Sequence, residues 1–265
     1  MKAGEAPQEK VTMTVVIPVF REYRRLAGSL NQVADFIADT RDVNVDAIFV
    51  DDGSPDRTPD VISAFVAEHD RLQLRLLRYP RNRGKGYAVR TGVMAASGGL
   101  ILMSDADLST PLPDWHKLYR ALQNGADVAC GSRAVRGANI GQPPPLLRRL
   151  LSRIFNVLVH AAGVRGIRDT QCGFKLFRAD AAREIFQRLR TERFAFDVEM
   201  IAVARDLGYR VEEVPVNWDY SGHSTVRLFS SGGRMLWDVF LLAVRRTIFG
   251  KRAVWPDPKQ GKGNT

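Results

Sequence analysis

The stretch LILMSDADLSTP, residues 100–111, decides the fold. Its first four residues are an apolar run of the kind that fills a buried strand, and the run stops at Asp105 and Asp107, separated by Ala106. Successive strand residues point to opposite faces, so positions i and i+2 share one and both carboxylates can be aimed at a single point. Two carboxylates that close repel each other unless a cation sits between them or water screens them. Read locally, the pair could instead cap the loop before Pro113.

Working outward, residues 13–18 (MTVVIP), 45–50 (VDAIFV) and 72–77 (LQLRLL) are further branched apolar runs, with helix-like segments over 22–39, 59–68 and 87–96 between them. Strands alternating with helices predict βαβ units, hence an α/β protein with a Rossmann-like, mostly parallel sheet flanked by helices. Ligands on such sheets bind at the carboxyl ends of the strands. The residues there are Pro18-Val19-Phe20-Arg21-Glu22, Asp51-Asp52-Gly53-Ser54, Arg81-Asn82-Arg83-Gly84-Lys85-Gly86 and Asp105-Ala106-Asp107. Each group has a local explanation as a turn or a cap. Their recurrence at four strand ends points instead to one ligand. Glycine lets backbone amides approach a phosphate, Lys85 can pair with it, and the carboxylates can hold a hard divalent ion bridging the same phosphates. That chemistry is a nucleoside diphosphate with Mg²⁺ or Mn²⁺, with Asp105 and Asp107 as the metal carboxylates.

At 265 residues, 45% of them hydrophobic, the chain can bury one large core. Cys130 and Cys172 form no C-x-x-C pattern, which argues for reduced thiols and against zinc. The opening MKAGEAPQEK lacks the apolar centre of a signal peptide, predicting a protein that stays in the cytoplasm. An excess of 39 Lys and Arg over 29 Asp and Glu attracts phosphate in some form. With no helix-turn-helix, RNP or zinc pattern, nucleic acid is not the expected partner.

PVFRE, VDDGS, RNRGKGYAVRTG, DAD, GSR at 131–133, DTQCGFKLF at 169–177 and FDVE at 196–199 occur in this order. Together they resemble glycosyltransferase family 2, and within it the dolichyl- or polyprenyl-phosphate glucosyl- and mannosyltransferases. The resemblance implies a GT-A fold over residues 11–227 and an inverting, metal-dependent transfer of a hexose, glucose from UDP-glucose being favoured, onto a polyprenyl phosphate. Transfer to a sugar hydroxyl is the alternative. It implies that Pro18, Val19, Phe20, Glu22, Asp52, Arg81, Gly84, Lys85, Asp105 and Ala106 hold the nucleotide. Asp107, Arg133, Lys175 and Asp197 would be catalytic, and Arg133, Arg136, Gln171, Ser224 and Arg227 would contact the acceptor phosphate. The sequence departs from the family pattern at Arg21, where Asn is usual, and at Leu108-Ser109-Thr110.

A phosphate acceptor, with a second ionisation at roughly pKa 6, needs cationic positioning more than a strong base. A hydroxyl acceptor would need a base, and Asp197 is the candidate. Residues 146–164 and 228–249 carry apolar positions at helical spacing beside arginines, with too few apolar residues to span a bilayer. Both are expected as amphipathic helices at an anionic lipid surface, making the protein peripheral on the cytosolic face. A packed core helix is the other reading of each. Residues 250–265 are expected to be a loose tail.

Overall fold

The computed structural model describes residues 11–141, 159–160, 164, 166–219 and 237–246. The predicted alternation is realised as β1 (Thr12–Val19), α1 (Leu26–Asp39), β2 (Asn44–Asp51), α2 (Thr58–Glu68), β3 (Leu74–Arg78), α3 (Lys85–Ala95) and β4 (Leu100–Met103). The chain continues through α4 (Trp115–Gln123), β5 (Val128–Ser132), β6 (Asn139–Ile140), β7 (Lys175–Arg178), α5 (Ala179–Arg188), α6 (Phe196–Asp206), β8 (Val211–Pro215) and β9 (Asn217–Trp218). Seven strands form one sheet in the order β3-β2-β1-β4-β7-β5-β8, and β6 with β9 forms a small second one.

Strand alternation divides the core. Met13, Val15 and Ile17 of β1 face one side with Leu30, Phe65, Trp115 and Leu118, while Val16, Ile48, Val50 and Ile101 face the other with Val89, Val93, Phe186 and Ile201. Helices therefore cover both faces, as parallel pairing requires. Gly92 permits the close approach of α3, since a Cβ there would lie 2.4 Å from a Val16 methyl.

β7 departs from the parallel rule, running antiparallel to both β4 and β5. The reason lies just upstream. Residues 169–173 cross the rim at the carboxyl ends of β4 and β5, where Gly131 N donates to Phe174 O at 2.8 Å, so the strand that follows starts at that rim and runs back. The loop before β7 thereby joins the loops that follow the parallel strands.

Val159 and Val164 are buried in the core, and in the helical stretch 237–246 Val239 and Leu242 are buried in the same cluster. There the packed-core reading holds for one helix face. Arg246, expected near lipid headgroups, instead pairs with Asp206 at 2.8 Å in a largely buried ion pair. The rest of 146–164 and 228–249, the tail, Ser224 and Arg227 lie outside the described residues.

Candidate active site

The rim is built from the β2 end outward. Asp52 is 4% exposed, and its carboxylate accepts from Tyr79 Oη at 2.7 Å, Asn82 Nδ2 at 2.7 Å, Arg83 N at 2.8 Å and Gly84 N at 2.9 Å. An ionised carboxylate offers about four acceptor positions, and these donors use them. Asp52, expected to contact the nucleoside, therefore shapes the 79–84 loop. Gly84 sits at φ 111°, and a Cβ there would lie 2.6 Å from Glu192 O, so the loop is formed only with glycine. It delivers Lys85 as the first residue of α3, at the positive end of the helix.

Lys85 Nζ pairs with Asp105 Oδ1 at 2.6 Å. Burial alone would raise the Asp105 carboxyl, but Lys85, with Lys175 and Arg133 behind it, outweighs that and holds it below the usual range. Asp105 also lies flat against Gly173, where a Cβ would come within 2.1 Å of its carboxylate. The glycine of the sequence CGF is thus required for Asp105 to occupy its place.

Asp107 is exposed, and one of its oxygens accepts from Ser109 N at 3.1 Å. Leu108 between them adopts φ 46°, a left-handed turn that costs a branched residue about 1 kcal/mol. Arg21, where the resemblance led to Asn being expected, also has positive φ, at 57°, a conformation that Asn adopts more readily than Arg. Glu22 accepts from Arg25 at 2.6 Å; burial raises its carboxyl, Arg25 draws it back in part, and Asp107 adds repulsion.

On the opposite side Arg133 donates through Nε and Nη2 to Asp169 at 2.7 and 2.9 Å, a bidentate pair reinforced by the Arg133 amide at 3.0 Å. Burial would lower Asp169's affinity for charge, yet Arg133 holds its carboxyl below the usual range. The Arg133 guanidinium lies 5.3 Å from the centre of the Trp218 ring. Asp105, Asp107, Ser109, Thr110, Arg133, Gly173 and Trp218 line one cleft.

Beneath this surface, Lys175 (0% exposed) pairs with Asp197 (2%) at 2.5 Å and also donates to Cys172 O at 2.5 Å. Burial pushes Asp197 above the usual carboxylate range, with Lys175 drawing it part of the way back. Both residues, expected at the substrate, lie buried under the cleft in this structure, where Lys175 fastens the residue next to Gly173. Flanking it, Cys130 and Cys172 are free and buried, and burial raises their thiols to about 12 and about 11.

The remaining predicted residues divide. Pro18 and Phe20 lie partly exposed at the β1 end and Ala106 is partly exposed between the carboxylates, whereas the Val19 side chain is buried in the core and can present only backbone. Arg81 and Arg136 are exposed, outside the cleft lining. Gln171 is half-buried, and its amide nitrogen has no hydrogen-bond partner among the described residues. Trp218 escaped the sequence reading because residues 211–218, VEEVPVNW, carry two glutamates and a proline and form no apolar run that would mark a strand.

Among the described residues no group of three or more His, Cys, Asp or Glu could hold a metal unaided. Asp107 and Asp105, with Glu22 repelling Asp107, nonetheless form an acidic patch of hard oxygen donors that suits Mg²⁺ or Mn²⁺ if phosphate oxygens complete the shell.

A doubly covered, mostly parallel sheet with a carboxylate pair and fixed cations at one rim defines the GT-A class of sugar-nucleotide transferases. The chain belongs to glycosyl transferase family 2, whose model matches residues 14–186. The dolichyl-phosphate beta-glucosyltransferase of Drosophila melanogaster is 37% identical over 243 residues, covering 88% of this chain and 74% of that protein. The human protein of the same name is 36% identical over 244 residues, covering 88% and 75%. Among solved structures, mannosyl-3-phosphoglycerate synthase from Rubrobacter xylanophilus superposes with TM-score 0.64 at 18% identity, covering 96% of this chain and 77% of that one. Glucosyl-3-phosphoglycerate synthase from Mycobacterium tuberculosis, solved with Mn²⁺, UDP-glucose and glycerol 3-phosphate, superposes with TM-score 0.62 at 20% identity, covering 94% and 82%.

Proposed function

We propose that this glycosyltransferase moves glucose, with inversion, from UDP-glucose to the phosphate of a dolichyl or other polyprenyl lipid. The carrying observation is that Arg133, held rigid by Asp169, faces the Asp105/Asp107 rim across a single cleft. A fixed cation beside a metal-type carboxylate pair suits two phosphorylated substrates meeting in line. The names of the relatives support the lipid-phosphate acceptor and the sugar.

In this reading Lys85 and the amino end of α3 bind the diphosphate, and Asp107 with Asp105 would hold Mg²⁺ or Mn²⁺. When bound, that ion supplies positive charge to the departing diphosphate. Arg133 orients the acceptor phosphate. An oxygen of that phosphate forms the new bond to the anomeric carbon as the bond to the nucleoside diphosphate breaks. With a second phosphate pKa of roughly 6 the attacking oxygen is already ionised near neutrality, so no side chain has to remove a proton. Asp197, locked to Lys175, supports this over a hydroxyl acceptor, which would call on a free base.

Among the described residues no helix is long and apolar enough to cross a membrane. A lipid acceptor and the exposed Trp237 and Phe240 support peripheral attachment to a membrane surface.

The test is transfer of radiolabel from UDP-glucose, GDP-mannose and UDP-N-acetylhexosamines to polyprenyl phosphate in detergent, with Mg²⁺, Mn²⁺ or EDTA. Metal-dependent lipid label from UDP-glucose is expected. Label from another donor would change the sugar, label that survives EDTA would remove the metal, and no lipid label with donor bound would favour the hydroxyl acceptor.

A further inference from the structure

We propose that Glu199, a buried carboxylate used by no step of the transfer, is a positioning residue for the donor diphosphate. It acts through residues 190–192, which brace the loop that carries Lys85. This deepens the nucleotide-sugar reading above and rests on it.

Glu199 closes the sequence FDVE in the first turn of α6 and is 2% exposed. Burying a carboxylate is unfavourable unless its oxygens are bonded. Those of Glu199 accept from Thr191 N at 2.7 Å and from Arg190 N at 3.1 Å, both in the connection between α5 and α6. Burial raises its carboxyl, and these amides draw it part of the way back. Packing alone does not call for a carboxylate here, since Val198, Met200 and Ile201 fill the core beside it with apolar side chains. A favourable charge at the helix amino end needs only an exposed one.

The segment that Glu199 holds bears on the loop before α3. Glu192 O accepts from Tyr87 N at 3.0 Å, and the Glu192 side chain pairs with Arg83. A Cβ at Gly84 would lie 2.6 Å from Glu192 O, and one at Gly86 would lie 2.8 Å from Thr191 O. The residues on either side of Lys85 are thus pressed against the segment whose amides Glu199 fixes. Contacts this close leave no slack, so a shift of residues 190–192 passes to the lysine and the amides at the amino end of α3. A phosphate group is held by donors placed before it arrives. The diphosphate, rather than the nucleoside, is therefore the part of the donor that depends on the brace.

Glu199→Gln keeps the side-chain volume but turns one acceptor oxygen into a donor facing an amide N–H. Calorimetric titration of the full chain with UDP and with uridine, in Mn²⁺, is run on wild type and on Glu199→Gln at a temperature where both are folded. The variant is expected to bind UDP about tenfold more weakly while uridine changes less than about twofold. A purely structural role would lower the melting temperature and leave both affinities where they were. That result, or an equal loss for both ligands, overturns the brace while leaving the donor intact. Absence of UDP binding by wild type overturns the donor reading, and the brace with it. Should Glu199→Gln fail to fold, amide hydrogen exchange of the wild type decides, because coupling is reciprocal. UDP is expected to slow exchange in peptides covering residues 189–193 as well as 83–87, and slowing confined to 83–87 rejects the brace.

Discussion

At the scale of single residues, burial separates the carboxylates by task. Asp107 is exposed and among the described residues its carboxylate accepts one hydrogen bond, from Ser109 N, so its replacement should cost little stability. Asp107→Asn is expected to lower transfer at least about 100-fold, with the melting temperature within about 2 °C of wild type; near-normal turnover would remove Asp107 from the chemistry. Asp169 behaves oppositely, because its charge is held by Arg133. Its carboxyl titrates lower folded than unfolded, so the pair's stabilisation is complete above the unfolded value near 3.8 and fades as pH falls through the lower folded value. Asp169→Asn should therefore destabilise by about 2–3 kcal/mol at pH 7, by leaving Arg133 without its partner, and the gap to wild type should narrow as pH drops below about 4. Denaturant melts at pH 7 and pH 3.5 check this; a gap independent of pH would contradict it.

At the scale of elements, much was legible because apolar runs and strands share one physical cause. The predicted strand at residues 100–103 matches β4, and β1 and β2 extend their predicted runs by one residue at each end. The helix expected from residue 22 begins at Leu26 because Glu22 O accepts from the amides of Arg25 and Leu26, forming a turn first. What local pattern could not show was the polarity of β7, which depends on where the preceding loop lies. The task of Asp52 was equally hidden, since its partners at residues 79–84 meet it only once β3 pairs with β2. Lys175 illustrates the same limit: its placement at the head of β7, opposite the start of α6, makes the buried tie to Asp197, which no local pattern shows. Lys175→Met would leave Asp197 buried without its cation and should cost about 3–5 kcal/mol, while Lys175→Met with Asp197→Leu should recover much of that loss. Urea unfolding of both variants measures it, and equal losses in the single and the double would show that the pair is not the source.

At the scale of the whole molecule, charge and shape bear on how the cleft meets a lipid. The net charge of +10 favours an anionic surface in general but selects no face. Under the proposed lipid acceptor, the helical stretch 237–246 is the candidate: Val239 and Leu242 are buried, whereas Trp237 and Phe240 are 59% and 51% exposed with ring centres 5.6 Å apart. The Arg246–Asp206 ion pair holds the stretch against α6, whose first residue, Phe196, lies beside Lys85, the partner of Asp105. A tryptophan–phenylalanine pair on a fixed helix suits the headgroup boundary, with the apolar rings in the acyl region and the indole N–H in the wet layer. Trp237→Ser with Phe240→Ser is expected to reduce co-sedimentation with vesicles containing anionic lipid at least about fivefold at physiological salt, while transfer to polyprenyl phosphate in detergent stays within about twofold. Because neither ring belongs to the buried cluster, melting should be nearly unchanged, which separates lost attachment from lost folding. Vesicle binding that persists in this variant would remove this helix face from the membrane contact, and a parallel fall in detergent activity would tie the rings to the cleft itself.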